Sequence, residues 1–246
     1  VERISNYSID FTGTNESMKT GGDSSTKPTS AITVSAWVNM DTAQGGTGWP
    51  NPDGNDDHFE VIVGVIAAGG YALGIQYSGT ASNPETGIYW NAKVDDNGSG
   101  SAGYWSTQYY NPTSGAREAN FNNLEDRTAD GYLYRDPGIN WGGVTSGSAY
   151  TLHNIRNLTG WQHIAGTFNG QYAKLWVNGV QKRMANMGTS GVVIQYPSNS
   201  AAEVMVGADL GVSPSGAADY MSGLVDEVAI WDAALDANNI AAIYNN

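Results

Sequence analysis

The sequence predicts an all-β protein, built as a two-sheet antiparallel sandwich with a short C-terminal helix. Three observations lead to this prediction: many short apolar or alternating segments, turn-forming residues between them, and one helical pattern near the end of the chain. The 246 residues include 32 glycines, which suits many turns between short strands. A single β domain accommodates a chain of this length, so we expect residues 1–246 to form one domain.

The predicted strands share a short apolar run or an alternation of apolar and polar residues. In chain order they are Tyr7–Phe11, Ala31–Met40, Phe59–Ile66, Tyr71–Tyr77, Gly87–Ala92, Trp161–Phe168, Tyr172–Val177, Val180–Arg183, Val192–Tyr196, Val204–Val206 and Leu224–Trp231. Asn178-Gly179 joins two of them as a two-residue turn, the strongest short hairpin signal in the chain. After the last strand, Asp236 is placed to cap a helix over Ala237–Tyr244, with Ile240, Ile243 and Tyr244 facing inward.

Two long segments interrupt this regular spacing. Residues 41–57 are polar and rich in Gly and Pro, and residues 95–150 are loop-like but contain many aromatic side chains. Long segments without regular structure are uncommon in compact domains and are often functional. We therefore predict that both are loop insertions, which build a surface on a plain scaffold.

Composition excludes several classes of partner and chemistry. The chain has 24 acidic and 11 basic residues and a net charge of −13, so we expect no nucleic-acid partner. It has no cysteine, which excludes disulfides and thiolate chemistry, and no apolar run long enough for membrane insertion. Residue 1 is Val and no signal peptide opens the chain, so we expect a chain that was processed or excised from a larger one.

The strand Leu224–Trp231 carries two adjacent acids, Asp226 and Glu227. In a regular strand they face opposite ways, and both faces are otherwise apolar, so at least one carboxylate is expected to approach a buried surface. A buried carboxylate must be paired, hydrogen-bonded or bound to a metal. The alternatives are therefore hydrogen bonds to backbone N–H groups, a calcium site, or a catalytic role.

Four segments resemble a known family. Tyr7–Glu16 is similar to an opening "FDGTxDY" strand and turn, and Ile32–Val38 is similar to "FTISAWV". Trp161–Gly179 is similar to "WHHVAxTYDG…LYVDG", and Gly223–Leu235 is similar to "GxIDEVRIYNRAL". The chain thus resembles the laminin-G-like, concanavalin A-like lectin/glucanase superfamily, and within it the bacterial and phage branch with the "GxIDEV" strand. This resemblance implies a jelly-roll sandwich.

The resemblance also implies a structural calcium ion between the opening turn and the "DE" strand. By the motif match Asp226 is the best-placed ligand, and the Gly13 carbonyl, Asn15 and Glu16 would supply further oxygens. Thr12 stands where the family has an Asp, which removes one carboxylate from the set. The acidic loop at residues 53–57 lacks the spacing of a calcium loop, and we expect it to be solvated.

Aromatic side chains suggest a carbohydrate-binding surface. Sugar rings present C–H faces that stack on aromatic rings, while amide, carboxylate and backbone groups bind the hydroxyls. The candidate ligand-binding residues are Trp90, Tyr104, Trp105, Tyr109, Tyr110 and Trp141. The alternative is that these rings form a small core of their own, which holds the long segment in shape.

Catalytic motifs are not evident. No "ExDxxE" triple of alternating acids is present, Glu60 stands alone, and there is no nucleophile elbow. The histidines His58, His153 and His163 lack zinc-ligand spacing, and we expect His163 to be a structural strand residue with its hydrogen bonds satisfied. We therefore predict no catalytic residue.

Three functional hypotheses follow. The first is a non-catalytic, lectin-like adhesion module that binds a glycan or polysaccharide and is displayed outside the cell or on a virus particle. The charge favours a neutral or cationic sugar. The second is a structural, decoration or fibre protein of a phage virion, with other virion or cell-surface proteins as partners. The third is a glycoside hydrolase or polysaccharide lyase with a divergent site.

Overall fold

The computed structural model describes residues 8–13, 15–20, 24–40, 58–66, 70–80, 83–94, 104–105, 109–110, 117–118, 135–136, 148–149, 151–154, 160–186, 190–191, 193–194, 196, 203–208 and 220–246. Its strands are β1 (Ile9–Thr12), β2 (Met18–Lys19), β3 (Ile32–Met40), β4 (His58–Ile66), β5 (Gly70–Thr80), β6 (Asn83–Val94), β7 (Tyr104–Trp105), β8 (Tyr109–Tyr110), β9 (Arg117–Glu118), β10 (Arg135–Asp136), β11 (Ser148–Ala149), β12 (Thr151–Asn154), β13 (Gln162–Phe168), β14 (Tyr172–Val177), β15 (Val180–Asn186), β16 (Met205–Val206) and β17 (Ser222–Trp231). A 3₁₀ turn covers Ser24–Thr26, and the helix α1 covers Ala237–Asn245. Within these residues the predicted all-β class and two-sheet sandwich are confirmed.

Two antiparallel sheets form the sandwich. The first has the strand order β1-β17-β3-β13-β14-β15, and the second has the order β12-β6-β5-β4-β16-β2, with β7 added beside β6. In the first sheet β1 is an edge strand that pairs only along β17 within that order, so the opening and closing strands of the chain are neighbours.

Apolar residues of both sheets meet in one continuous core. Ile164 and Leu175 of the first sheet and Leu73 and Trp90 of the second belong to the same buried cluster. The Trp90 indole lies over the backbone of the facing sheet, and its Nε1 donates to the Thr167 carbonyl at 3.2 Å. Trp90 therefore joins the two sheets both by packing and by a hydrogen bond.

The turn between β14 and β15 has the predicted hairpin geometry. Asn178 has φ 52° and Gly179 has φ 78°, so both central residues are left-handed, as a type I′ turn requires. The Asn178 side chain closes the turn onto β13, because its Oδ1 accepts from His163 N at 3.0 Å and its Nδ2 donates to Gln162 Oε1 at 2.6 Å.

The C-terminal segment packs on the outer face of the first sheet. Thr33 Oγ1 donates to the Ala233 carbonyl at 2.6 Å and accepts from Leu235 N at 2.8 Å, which fixes the chain ahead of α1. Asp236 caps the helix, as predicted, with its Oδ1 accepting from Asn239 N at 2.9 Å. Ile240 is fully buried, and Tyr244 stacks on Trp37 at 5.7 Å between ring centroids.

The structure describes part of the second predicted insertion and none of the first before residue 58. Residues 41–57 lie outside the described residues, as does most of 95–150. In the second interval the structure describes short paired strands, with β7 on β6, β8 on β9, and β10 on β11.

The two sheets approach each other closely where Gly166 faces the Trp90 indole. A Cβ added at Gly166 would lie 2.1 Å from Cδ2 of that indole, a distance that real Cβ atoms do not show. We expect Gly166→Ala to lower the free energy of unfolding by about 3 kcal/mol, because the sheets would have to move apart. Urea denaturation measures this change.

A Trp90→Leu background provides the control. Removing the indole relieves the clash, so Gly166→Ala should cost much less there, and the double-mutant cycle should show a large coupling. An equal cost of Gly166→Ala in both backgrounds would contradict this packing.

Candidate functional site

The pairing of β1 with β17 positions a candidate ligand site. Its register places Asp10 opposite Leu224, Phe11 opposite Gly223 and Thr12 opposite Ser222. On the other side of β17, Leu224 lies opposite Asn39 of β3. Asp10, Leu224 and Asn39 thus form one cross-strand row, and all three are at least partly exposed.

The turn after β1 is closed by a carboxylate. Glu16 Oε2 accepts from Thr12 N at 2.9 Å and from Thr12 Oγ1 at 2.5 Å. The hydrogen bond from the Thr12 hydroxyl, followed by the one from its backbone N–H, lowers the pKa of Glu16. Thr12, the residue that departs from the family pattern, is therefore the hydrogen-bond donor for Glu16.

The four predicted calcium ligands do not converge. Ser222, not Asp226, lies opposite Thr12, so Asp226 is four residues further along β17, which corresponds to about 13 Å. Oxygens around one calcium ion lie about 2.4 Å from it, so Asp226 cannot share an ion with the Gly13 carbonyl. Asn15 and Glu16 are exposed in the turn, and within the described residues no three acidic or histidine side chains are grouped closely enough to hold a metal ion. The residues named for this set therefore do not fit one ion, and calcium binding elsewhere stays a prediction.

A β-bulge changes the facing of the acid pair in β17. The register shifts between Asp226, which pairs with Trp37, and Ala229, which pairs with Ser35. Glu227 has φ 48° and is exposed, and its N–H donates to Asp226 Oδ1 at 2.8 Å. The predicted alternation is therefore wrong beyond Asp226, because Val225 and Val228 now both face the core.

The buried acid near this site is Glu60, which sequence reasoning treated as isolated. Its side chain is 3% exposed, and its Oε2 accepts from Ser222 N at 3.1 Å. Glu60 belongs to β4 in the second sheet, so this hydrogen bond joins the two sheets at the start of β17. Its position opposite Ser222 depends on long-range packing that no local sequence signal shows.

An open pocket lies over this junction. Its volume is about 420 Å³, and its lining combines a carboxylate, an amide and hydroxyls with apolar side chains. The lining residues are Asp10, Phe11, Thr12, Asn39, Met40, Ser222, Gly223 and Leu224. Gly223 in this lining has φ 131°, a backbone conformation that favours glycine.

Of the predicted aromatic ligand-binding residues, Trp90 is the one whose side chain the structure describes. Trp90 is fully buried in the core, so its assignment to a solvent-facing sugar platform is corrected. Tyr104 and Trp105 form β7, and Tyr109 and Tyr110 form β8. Trp141 lies outside the described residues.

The expectation that His163 has its hydrogen bonds satisfied is also corrected. It lies in β13 and is fully buried, as a structural strand residue should be, but neither ring nitrogen has a hydrogen-bond partner among the described residues. Burial lowers the pKa of His163 to about 4. The imidazole is therefore neutral at physiological pH.

Comparison with known proteins identifies the family. The family model of the concanavalin A-like lectin/glucanases superfamily matches residues 101–241, more than half of the chain. The chain belongs to this superfamily. The match includes two of the four resembling segments, the hairpin region and the "DE" strand. No curated protein sequence matches the chain.

Several solved structures are similar to this chain. A native heptameric SAP-like pentraxin from Limulus polyphemus matches 96% of this chain and 81% of its own, with TM-score 0.50 and 11% identity. The botulinum neurotoxin serotype D binding domain matches 99% of this chain and 45% of its own, with TM-score 0.51 and 9% identity. Domain 4 of an extracellular arabinanase from Geobacillus stearothermophilus, solved with arabinotriose, matches 96% of this chain and 76% of its own, with TM-score 0.45 and 13% identity. The pentraxin and the neurotoxin domain support a shared fold, and identities this low do not establish a shared ligand.

The Thr12–Glu16 contact predicts a stability effect that does not involve calcium. Glu16→Gln should lower the melting temperature. In a Thr12→Val background, Glu16→Gln should have much less effect, because both substitutions break the same contact. Because the pKa of Glu16 is lowered in the folded protein, its contribution is present above the ordinary pKa and is lost as the pH falls below it.

Thermal melts in calcium and in chelator test this prediction. We expect Glu16→Gln to lower the melting temperature by the same amount in both. A loss confined to the calcium-containing sample would contradict it and restore the turn as a metal site.

Proposed function

We propose that this protein is a non-catalytic carbohydrate-binding module that acts outside the cell, on a cell or particle surface, and that the pocket between β1, β17 and β3 takes one sugar unit. The observation that carries the proposal is the row Asp10–Leu224–Asn39 along the pocket. It places an apolar side chain between a hydrogen-bond acceptor and an amide that both donates and accepts.

This chemistry suits a sugar ring. Leu224 offers an apolar surface for the C–H face of the ring, while Asp10 and Asn39 lie on either side to bind hydroxyls. The Ser222 hydroxyl adds a further polar group at the wall. The volume of about 420 Å³ lies within the range usual for small-molecule sites.

Charge favours a neutral or cationic sugar. Among the described lining residues, Asp10 is the only ionisable side chain, and none is Lys or Arg. The net charge of −13 acts in the same direction, because it repels uronates and sulfated sugars at long range.

The pocket supports binding more than hydrolysis. Glycoside hydrolysis uses two carboxyl groups across the scissile bond, and Asp10 is the single acid among the lining residues that the structure describes. Asp226 and Glu227 are not among the described lining residues and lie beyond Leu224 along β17. Membership of the superfamily and the likeness to a toxin binding domain are compatible with this role.

No observation favours an assembly role over ligand binding. Such a role predicts a large apolar surface for a partner chain. Among the described residues, the exposed large hydrophobic side chains are Ile9, Met18 and Val180, which lie on different strands. The described helix is also too short to cross a membrane.

A glycan array, followed by calorimetry with the best sugar, tests the proposal. Asp10→Asn and Asn39→Ala should each weaken binding about 10- to 100-fold, because each removes a hydrogen bond to the ligand. Asp232→Asn is the matched control, since it removes the same charge from an exposed residue outside the pocket lining. Absence of any glycan signal, with and without calcium, would contradict the function.

The aromatic residues of the second insertion are the other location proposed for the same activity. Alanine variants of Tyr104, Trp105, Tyr109, Tyr110 and Trp141 are measured with the same sugar. If binding is lost in one of these and unchanged in Asp10→Asn, the function stands and the site moves from the pocket to the insertion.

A further inference from the structure

The C-terminal helix covers a buried histidine. His163 is 0% exposed and lies 5.4 Å from the Trp37 ring and 6.3 Å from the Tyr244 ring, measured between centroids. Tyr244 belongs to α1 and stacks on Trp37, so the helix seals the imidazole against the outer face of the first sheet.

The described residues around His163 offer no hydrogen-bond acceptor to its ring. The backbone of His163 is bound to the hairpin turn, since its N–H donates to Asn178 Oδ1 and its carbonyl accepts from Asn178 N at 2.7 Å. Both ring nitrogens lack a partner among the described residues. A charged imidazolium here would be desolvated without compensation.

Charged and titratable groups on the surrounding elements do not supply that compensation. On β17, Asp226 lies in the same cross-strand row but beyond Trp37, two strand spacings or about 10 Å from His163. On β14, Lys174 lies over the Trp176 ring and carries the wrong sign. On α1, Tyr244 is the titratable contact, and the helix has no acidic residue in its first turn and no basic residue in its last.

The helix depends on this docking for its own stability. It has nine residues, of which Ile240 alone is buried, against Ala165 and Trp176. Helices of this length are marginal in water, and segments with few buried contacts open at lower free energy than the core. Local release of α1 is therefore a cheaper way to hydrate His163 than unfolding the sandwich.

We infer that α1 is a pH-operated latch: protonation of His163 in mildly acidic solution releases the helix from the sheet and uncovers Trp37 and Trp176. This inference goes beyond sugar binding and does not depend on it. With the helix docked, the two indoles lie beneath it, and its release would expose them as an apolar surface.

The direction of the pH dependence follows from the pKa of His163 with the helix docked and with the helix released. Burial lowers the pKa of His163 from its ordinary 6.5 to about 4 in the docked state, while a released, hydrated imidazole has an ordinary value. Docking is therefore at full strength above pH 6.5 and weakens as the pH falls towards 4. Between about pH 7.5 and about pH 5, the opening equilibrium should rise roughly 30-fold.

Hydrogen exchange on the full chain tests the latch, with rates corrected for the intrinsic pH dependence of exchange. We expect the amides of α1 to show this roughly 30-fold rise in opening while those of β3 and β13 stay protected. His163→Phe keeps an aromatic ring but cannot titrate, so its helix should show no rise. A double His58→Gln, His153→Gln variant is the matched control and should keep the full rise.

Three results would overturn the inference: a helix whose opening does not change with pH, a rise that persists in His163→Phe, or loss of protection in the strands together with the helix. A titration of the His163 ring by NMR in the unmodified protein gives an answer that does not depend on a variant folding. A ring pKa at or above the ordinary value would equally overturn the inference.

Discussion

The pairing of the first strand with the last is the interaction on which the candidate site depends. Thr12 opposite Ser222 and Asp10 opposite Leu224 are separated by more than two hundred residues of chain but are neighbours in the sheet. This register sets which side chains share the outer row, where the opening turn meets β17, and which backbone N–H is presented to Glu60. A shift of one residue would turn every side chain of β1 to the opposite face and remove Asp10 from the pocket.

The bulge in β17 solves the problem posed by two acids in an apolar strand. Without it, the alternation that turns Val225 inward would also turn Glu227 inward, into a core whose described residues include no cation to receive it. One extra residue and a left-handed backbone at Glu227 place that carboxylate in solvent and return Val228 and Ile230 to the core. The cost of the left-handed conformation, about 1–2 kcal/mol, is smaller than that of a buried, unpaired carboxylate.

Two kinds of buried polar group are present: groups that hold the two sheets together by a hydrogen bond, and a histidine ring that contributes only packing. Trp90 and Glu60 each have a hydrogen-bond partner in the facing sheet, so their polar atoms strengthen the contact between the sheets. His163 is buried equally well but under a short helix, and its ring contributes only packing. His163 differs from Trp90 and Glu60 in its lack of a hydrogen-bond partner for the ring among the described residues, and not in its depth of burial. Protonation therefore acts at His163, on the side of the sheet that the helix covers.

Local patterns in the sequence determined much of the fold. Alternating apolar residues located the main strands, Asn178-Gly179 located the hairpin, and Asp236 located the start of the helix, because each of these features is encoded within a few adjacent residues. Tertiary structure alone decided that Glu227 leaves the strand alternation, that Trp90 is a core residue and not a ligand platform, and that Asp226 lies far from the opening turn. It also decided that Asp10, Leu224 and Asn39 share a pocket and that the His163 ring is enclosed without a hydrogen-bond partner among the described residues. These outcomes depend on strand register and on contacts between residues distant in the chain, and the free energy that selects them comes from packing the two sheets together.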